Sequence, residues 1–208
     1  MKSEYFIKKL DKSKIEKQIF WDGIYSANID CCPWGNDNNL PKADAKIVYD
    51  NQSFYVFLRA FEKDIKATYK KVNDFVHKDS CLEFFFNPDP ESDLRYINFE
   101  FNPLGTIYFS IGSDRYSRKL LGDNERKRLR IQSYFTQEIF WVVKFEIPFS
   151  FIEKYYSSLN FYEGKVMKGN FYKCGDETEK PHYGCWSPII SDFPDFHKPE
   201  YFGNLILK

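Results

Sequence analysis

Two acids and their neighbours carry the chemistry this sequence offers. In Lys78 to Asn102, KDSCLEFFFNPDPESDLRYINFEFN, strand alternation puts Leu82, Phe84 and Phe86 on one side and Cys81, Glu83 and Phe85 on the other. Past a turn, Ile97, Phe99 and Phe101 oppose Tyr96, Asn98 and Glu100. If Pro88 to Asp93 makes the turn, Asn87 pairs with Leu94, and Glu83 then faces Asn98, Phe85 faces Tyr96 and Cys81 faces Glu100. A slip of one residue would send every side chain to the wrong face, so agreement of the apolar and polar sets supports the pairing. One face is oily, and the other carries Glu83, Tyr96, Asn98 and Glu100.

That polar face suits two kinds of chemistry. A glycosidase needs two carboxyls roughly 5 Å or roughly 6.5–9.5 Å apart, and in this register Glu83 and Glu100 are diagonal neighbours at roughly 7–8 Å. Carboxylates beside Asn, Tyr and His are equally what grips the hydroxyls of a sugar, and this second reading is favoured. Other chemistries drop out: there is no phosphate-cradling glycine loop, GxSxG elbow or HExxH. His77, His182 and His197 are far apart in sequence and read as solvated or hydrogen-bonded rather than as a metal set. Cys31, Cys32, Cys81, Cys174 and Cys185 lack zinc-ribbon or redox-dithiol spacing and read as free thiols.

The elements that must position this face are short strands. In 208 residues there are 22 Phe and 15 Tyr, with 10 Gly and 10 Pro punctuating apolar runs, the profile of a single all-β domain, residues 1–208. The expected fold is an antiparallel β-sandwich, immunoglobulin-like or jelly-roll-like, with one or two short helices. Glu4 to Leu10 reads as an edge strand, followed by a lysine-rich connector, and CCPWGNDNNLP as a loop whose Trp34 is either a lid or a core plug, the plug being favoured. Ala45 to Tyr49 and Phe54 to Phe61 form a hairpin whose second strand is central. The segment from Phe61 to Asp79 is a long connection, and Ser113 to Arg126 a solvated loop. Phe140 to Ile147 is amphipathic, with Trp141, Val143, Phe145 and Ile147 inward. Pro148 ends it, and FSFIEKYYSSL reads as a short helix that Ser150 could cap. Lys165 to Cys174 is a strand with Asn170 and Tyr172 on one face, and Leu205 to Leu207 closes the chain.

Lysine plus arginine equal aspartate plus glutamate at 30 each, so net charge draws neither nucleic acid nor an anionic membrane, and a neutral ligand fits. The start, MKSEYFIKKLDKSKIEKQ, holds no apolar stretch for a signal or a span. As written the chain reads as cytoplasmic, or as secreted if a leader has been trimmed, with no membrane insertion.

Taken together, AKIVYDNQSFYVFLRAFEKD, KDSCLEFFFNP, FEFNPLGT, FWVVKFEIPFSFI, GNFYKCG, CWSPI and DFHKPEYFGNLIL resemble, in order, carbohydrate-binding module family 9 and its family-9-like relatives. The resemblance implies a β-sandwich that binds a mono- or oligosaccharide, often attached to xylanases or other glycoside hydrolases and often holding structural calcium. It implies that Glu83 contacts the ligand from the family's acidic strand position. His77 and Phe196 fall where two tryptophans clamp the sugar, with less stacking area at His77. Phe193 falls at a polar ligand contact, and Asn170 and Tyr172 on a strand facing the pocket. The expectation is a non-catalytic sugar-binding module using His77, Glu83, Tyr96, Asn98, Glu100, Asn170, Tyr172, Phe193 and Phe196. The alternatives are a glycoside hydrolase built on Glu83 and Glu100, or an oligomerising domain with no sugar ligand.

Overall fold

Alternating apolar side chains become thirteen strands in the computed structural model, which describes residues 3–11, 13, 18–35, 39–135, 140–157 and 159–208. Most of the lysine-rich connector and Asn36 to Asn38 of the expected loop lie outside the described residues. The strands are β1 (Glu4–Lys9), β2 (Ala27–Asn28), β3 (Lys42–Tyr49), β4 (Ser53–Phe61), β5 (Cys81–Asn87), β6 (Tyr96–Phe101) and β7 (Ile107–Gly112). After them come β8 (Lys119–Leu120), β9 (Gln132–Phe135), β10 (Trp141–Pro148), β11 (Val166–Cys174), β12 (Tyr183–Cys185) and β13 (Gly203–Leu207). Two short α-helices are described from end to end, α1 (Asp123–Arg128) and α2 (Phe149–Ile152).

The strands form one continuous sheet in the order β8-β7-β6-β5-β11-β13-β1-β3-β4-β10-β9, with β12 on β11 and β2 on β3. This corrects the expected antiparallel sandwich. The sheet is mixed and strongly curled, because β1 pairs in parallel with β13 through Glu4 to Ile7 and with β3 through Lys8 and Lys9. The expected edge strand is therefore an interior one that passes from one half of the sheet to the other. The second strand of the first hairpin is central as read, β4 lying between β3 and β10.

The halves close on a shared aromatic core. Leu82, Phe84, Phe86, Ile97, Phe99 and Phe101 meet Ile47, Val56, Leu58, Trp141, Val143 and Phe145, all buried. Phe145 lies 4.7 Å from Phe101 and 5.4 Å from Phe99, ring centre to ring centre. The oily face of the β5–β6 hairpin is thus the one read from the sequence.

Its register is not. Glu83 stands opposite Glu100, Phe85 opposite Asn98 and Leu82 opposite Phe101, a shift of two residues that leaves every side chain on its face. The cause is a longer turn: Asn87 Nδ2 donates to the Asp93 carbonyl and Asn87 Oδ1 accepts from Asp89 N–H, both at 2.8 Å, so the turn runs on to Arg95. Ser150 does not cap α2, whose N-terminal neighbour is Pro148; its hydroxyl accepts from Arg128 Nη2 instead.

Candidate functional site

Outside the core, the face made by β5, β6, β7 and β11 opens into a cleft of about 250 Å³. Glu83 and Glu100 form its floor, only 3% and 4% exposed. Tyr108 of β7, across from Glu100, continues the same face. The long connection before β5 is anchored by buried Asp79, which accepts from Thr68 N–H, Thr68 Oγ1, Tyr69 N–H and Asn102 Nδ2. That anchor sets the turn Val76–Lys78 and brings Phe75 and His77 to the rim. The segment expected to be a solvated loop supplies Arg115 and Arg118, and the stretch after β11 and the tail supply Asp176, Tyr183, Asp195, Phe196 and His197.

Burial governs the electrostatics. It pushes the Glu83 carboxyl up to about 7, against S–H groups of Cys174 and Cys81 directed at Oε1. Burial and the charge of Glu83 hold Glu100 well above the usual carboxylate range, with Arg118 opposing. Asn98 Nδ2 donates to Glu100 Oε1 at 2.9 Å, while Arg118 Nη1 lies 3.8 Å from Oε1 and His77 Nδ1 4.0 Å from Oε2. Arg118 Nη1 is buried and has no hydrogen-bond partner among the described residues. His77 is lowered by burial and Asp176 raised by it, each opposed by the other's charge. His197 is driven to about 2 by burial, so it is a neutral ring, with Nδ1 2.8 Å from the Tyr96 hydroxyl.

Of the nine residues singled out from the sequence, His77, Glu83, Glu100 and Phe196 line the cleft. Three brace it from behind. Tyr172 stacks on Phe196 with ring centres 4.2 Å apart and donates to the Phe196 carbonyl, Tyr96 holds His197, and Asn98 holds Glu100. Two stand apart. The Asn170 amide is committed to Ser187, donating to its carbonyl and accepting from its N–H, and Phe193 is 78% exposed. Trp34, read as a plug, is half-buried beside Phe196 and donates to the Ser191 carbonyl at 2.7 Å. The sequence reading missed Arg115 and Arg118, which sit in a charge-rich stretch with nothing local to set them apart. It also passed over Cys174, which faces Cys81 only once the β5–β11 pairing is known.

Calcium, raised by the family resemblance, takes oxygen ligands. Among the described residues no three carboxylates converge to hold it, and the close group of side-chain donors, Cys81, Glu83 and Cys174, offers two thiols. No described helix is long and apolar enough to cross a membrane.

A curled mixed sheet bearing a small cleft of acids, guanidinium and rings on its outer face is built as a binding module. The chain belongs to carbohydrate-binding family 9, whose model matches residues 10–207. It is similar to a crystal structure from Bacteroides uniformis described as a candidate carbohydrate-binding protein, with 28% identity, 99% of each chain covered and a TM-score of 0.85. It shares its fold with a family 9 module from Caldicellulosiruptor kristjanssonii, solved with glucose and with cellotriose. Each of those has 12% identity, a TM-score of 0.68 and 99% of this chain covered, with 96% and 94% of the other chain. No curated protein matches the chain.

Proposed function

We propose that this chain is a non-catalytic sugar-binding module whose cleft holds one ring or the end of a short saccharide. The observation that carries the reading is Arg118 Nη1, a buried donor with no hydrogen-bond partner among the described residues, 3.8 Å from Glu100 in a cleft rimmed by aromatic rings. A buried donor without a partner costs about 1–3 kcal/mol, and a ligand hydroxyl accepting from it would recover that cost. Glu83 and Glu100 would take further hydroxyls, while Phe196 and His77 would lie against the ring. Family membership, and the glucose and cellotriose held by the Caldicellulosiruptor module, support the choice of ligand. A cleft this small suits few contacts, so affinity belongs on the order of mM to μM.

Titration calorimetry against glucose, cellobiose, cellotriose and xylo-oligosaccharides tests the reading. Binding of at least one of them is expected, weakened about tenfold or more by Arg118→Ala, the size of one charged hydrogen bond. A blank glycan panel, or binding indifferent to Arg118→Ala, would overturn it.

The direct opposition of Glu83 and Glu100 gives the hydrolase reading its one support. Raised carboxyls serve a proton donor as well as they serve a hydroxyl-binding wall, and burial raises both here, so turnover decides between the two readings. Saccharide cleavage that Glu83→Gln abolishes would decide for the enzyme.

A further inference from the structure

Beneath the cleft, Cys81 and Glu83 lie two residues apart on β5 and share a face, and Cys174 of β11 stands directly across from Cys81. The sulfurs of Cys174 and Cys81 are 3.1 Å and 3.7 Å from Glu83 Oε1, and the three donor atoms all lie within 4.8 Å of one another. A tetrahedral zinc ion, at about 2.3 Å from sulfur and about 2.1 Å from oxygen, spaces its ligands roughly 3.6–3.8 Å apart. Small side-chain rotations would bring these donors to that spacing. We propose that Cys81, Glu83 and Cys174 form a binding site for a thiophilic divalent cation of the zinc class at the floor of the cleft.

The chemistry of the donors selects the ion. Two thiolates favour zinc or its soft neighbours over calcium or magnesium. All three side chains are buried on adjacent paired strands, so the donors are held close before any ion arrives. Two thiolates and a carboxylate leave one negative charge beyond what a divalent ion neutralises, and the Arg118 guanidinium acts electrostatically on the Glu83 carboxylate from the cleft wall. Glu83 and Cys174 both line the cleft, so the fourth coordination position opens into it. Uptake must release the thiol protons, so binding weakens as pH falls.

Cobalt(II) is the probe. Titrated into the reduced chain, it is expected to give tetrahedral d–d bands and a thiolate-to-cobalt charge-transfer band saturating at one equivalent and bleached by Zn²⁺. Cys81→Ser and Cys174→Ser should lose the charge-transfer intensity in whole or half, while Cys32→Ser keeps it. A folded wild-type chain without the band, or a band undiminished in Cys174→Ser, would sink the proposal. Should the serine variants fail to fold, X-ray absorption on zinc-loaded wild type decides: two sulfur scatterers support the site, and a shell of only oxygen and nitrogen overturns it. This inference does not rest on the sugar reading, since a chain can bind the metal and no saccharide, or the reverse.

Discussion

Glu83 is a carboxyl withdrawn from water onto a sheet surface, with thiols rather than cations as its nearest donors. Its folded value near 7 lies above the ordinary 4.5 of an accessible glutamate because burial disfavours the charge. The folded state therefore binds the proton more tightly than the unfolded chain. The stability this supplies is complete below about pH 4.5 and is lost as pH rises through about 7. The loss amounts to about 3 kcal/mol at most, and Glu83→Gln should remove it. Thermal unfolding between about pH 5 and pH 8 is expected to show wild-type stability falling relative to the glutamine variant. Parallel curves would mean that Glu83 is ionised and solvated in the folded chain. The buried histidines act in the opposite sense. His182 and His197, lowered by burial to about 4 and about 2, give stability that is full above about pH 6.5 and lost as pH falls toward those values. Stability should thus peak on the mildly acidic side of neutral.

At the scale of elements, the hairpin of β7 and β8 decides where Arg118 points. Gly112, opposite Tyr96 at the end of β7, lets the returning chain pass so close that a Cβ there would meet Arg118 Cα at 2.7 Å and Arg118 N at 2.9 Å. Backbone cannot step aside as a flexible side chain can. Gly112→Ala should therefore shift Arg118 and weaken saccharide binding by about tenfold, with overpacking lowering stability by about 1–3 kcal/mol. Calorimetry beside thermal unfolding checks this, and unchanged affinity would show that Arg118 is not held by this contact. The same element marks how far the sequence could be read. The two faces of β5 and β6 follow from alternation alone, which is why Glu83, Glu100, Asn98 and Tyr96 were assigned to the outer face. Their partners across the hairpin do not follow, because the side-chain bonds of Asn87 lengthen the turn. Arg118 was illegible for a related reason: its role comes from the close crossing at Gly112, and a charge-rich stretch looks solvated until its path is known.

Across the whole molecule, β1 joins the two halves of the sheet. Alternation in Glu4 to Lys9 announces a strand, yet period-two patterning does not say which neighbours it takes, and so an edge was expected where a seam exists. Tyr5 ties the seam on both sides, donating to the Tyr25 carbonyl and accepting from Ile47 N–H of β3, and its ring packs edge-on against Phe171 of β11. Ile7 lies beside it, fully buried in the shared core. Because β1 pairs with β13 toward the cleft half and with β3 toward the other, weakening it should loosen both halves together. Ile7→Ala is expected to cost about 2–5 kcal/mol, as for large-to-small changes in a packed core. Hydrogen exchange read by peptide should then show β5 and β11 losing protection in step with β4 and β10, since one cooperative unit opens as a whole. If exchange rises only in β1, β13 and β3 while the outer strands stay protected, the halves stand independently and the seam is merely a contact between them.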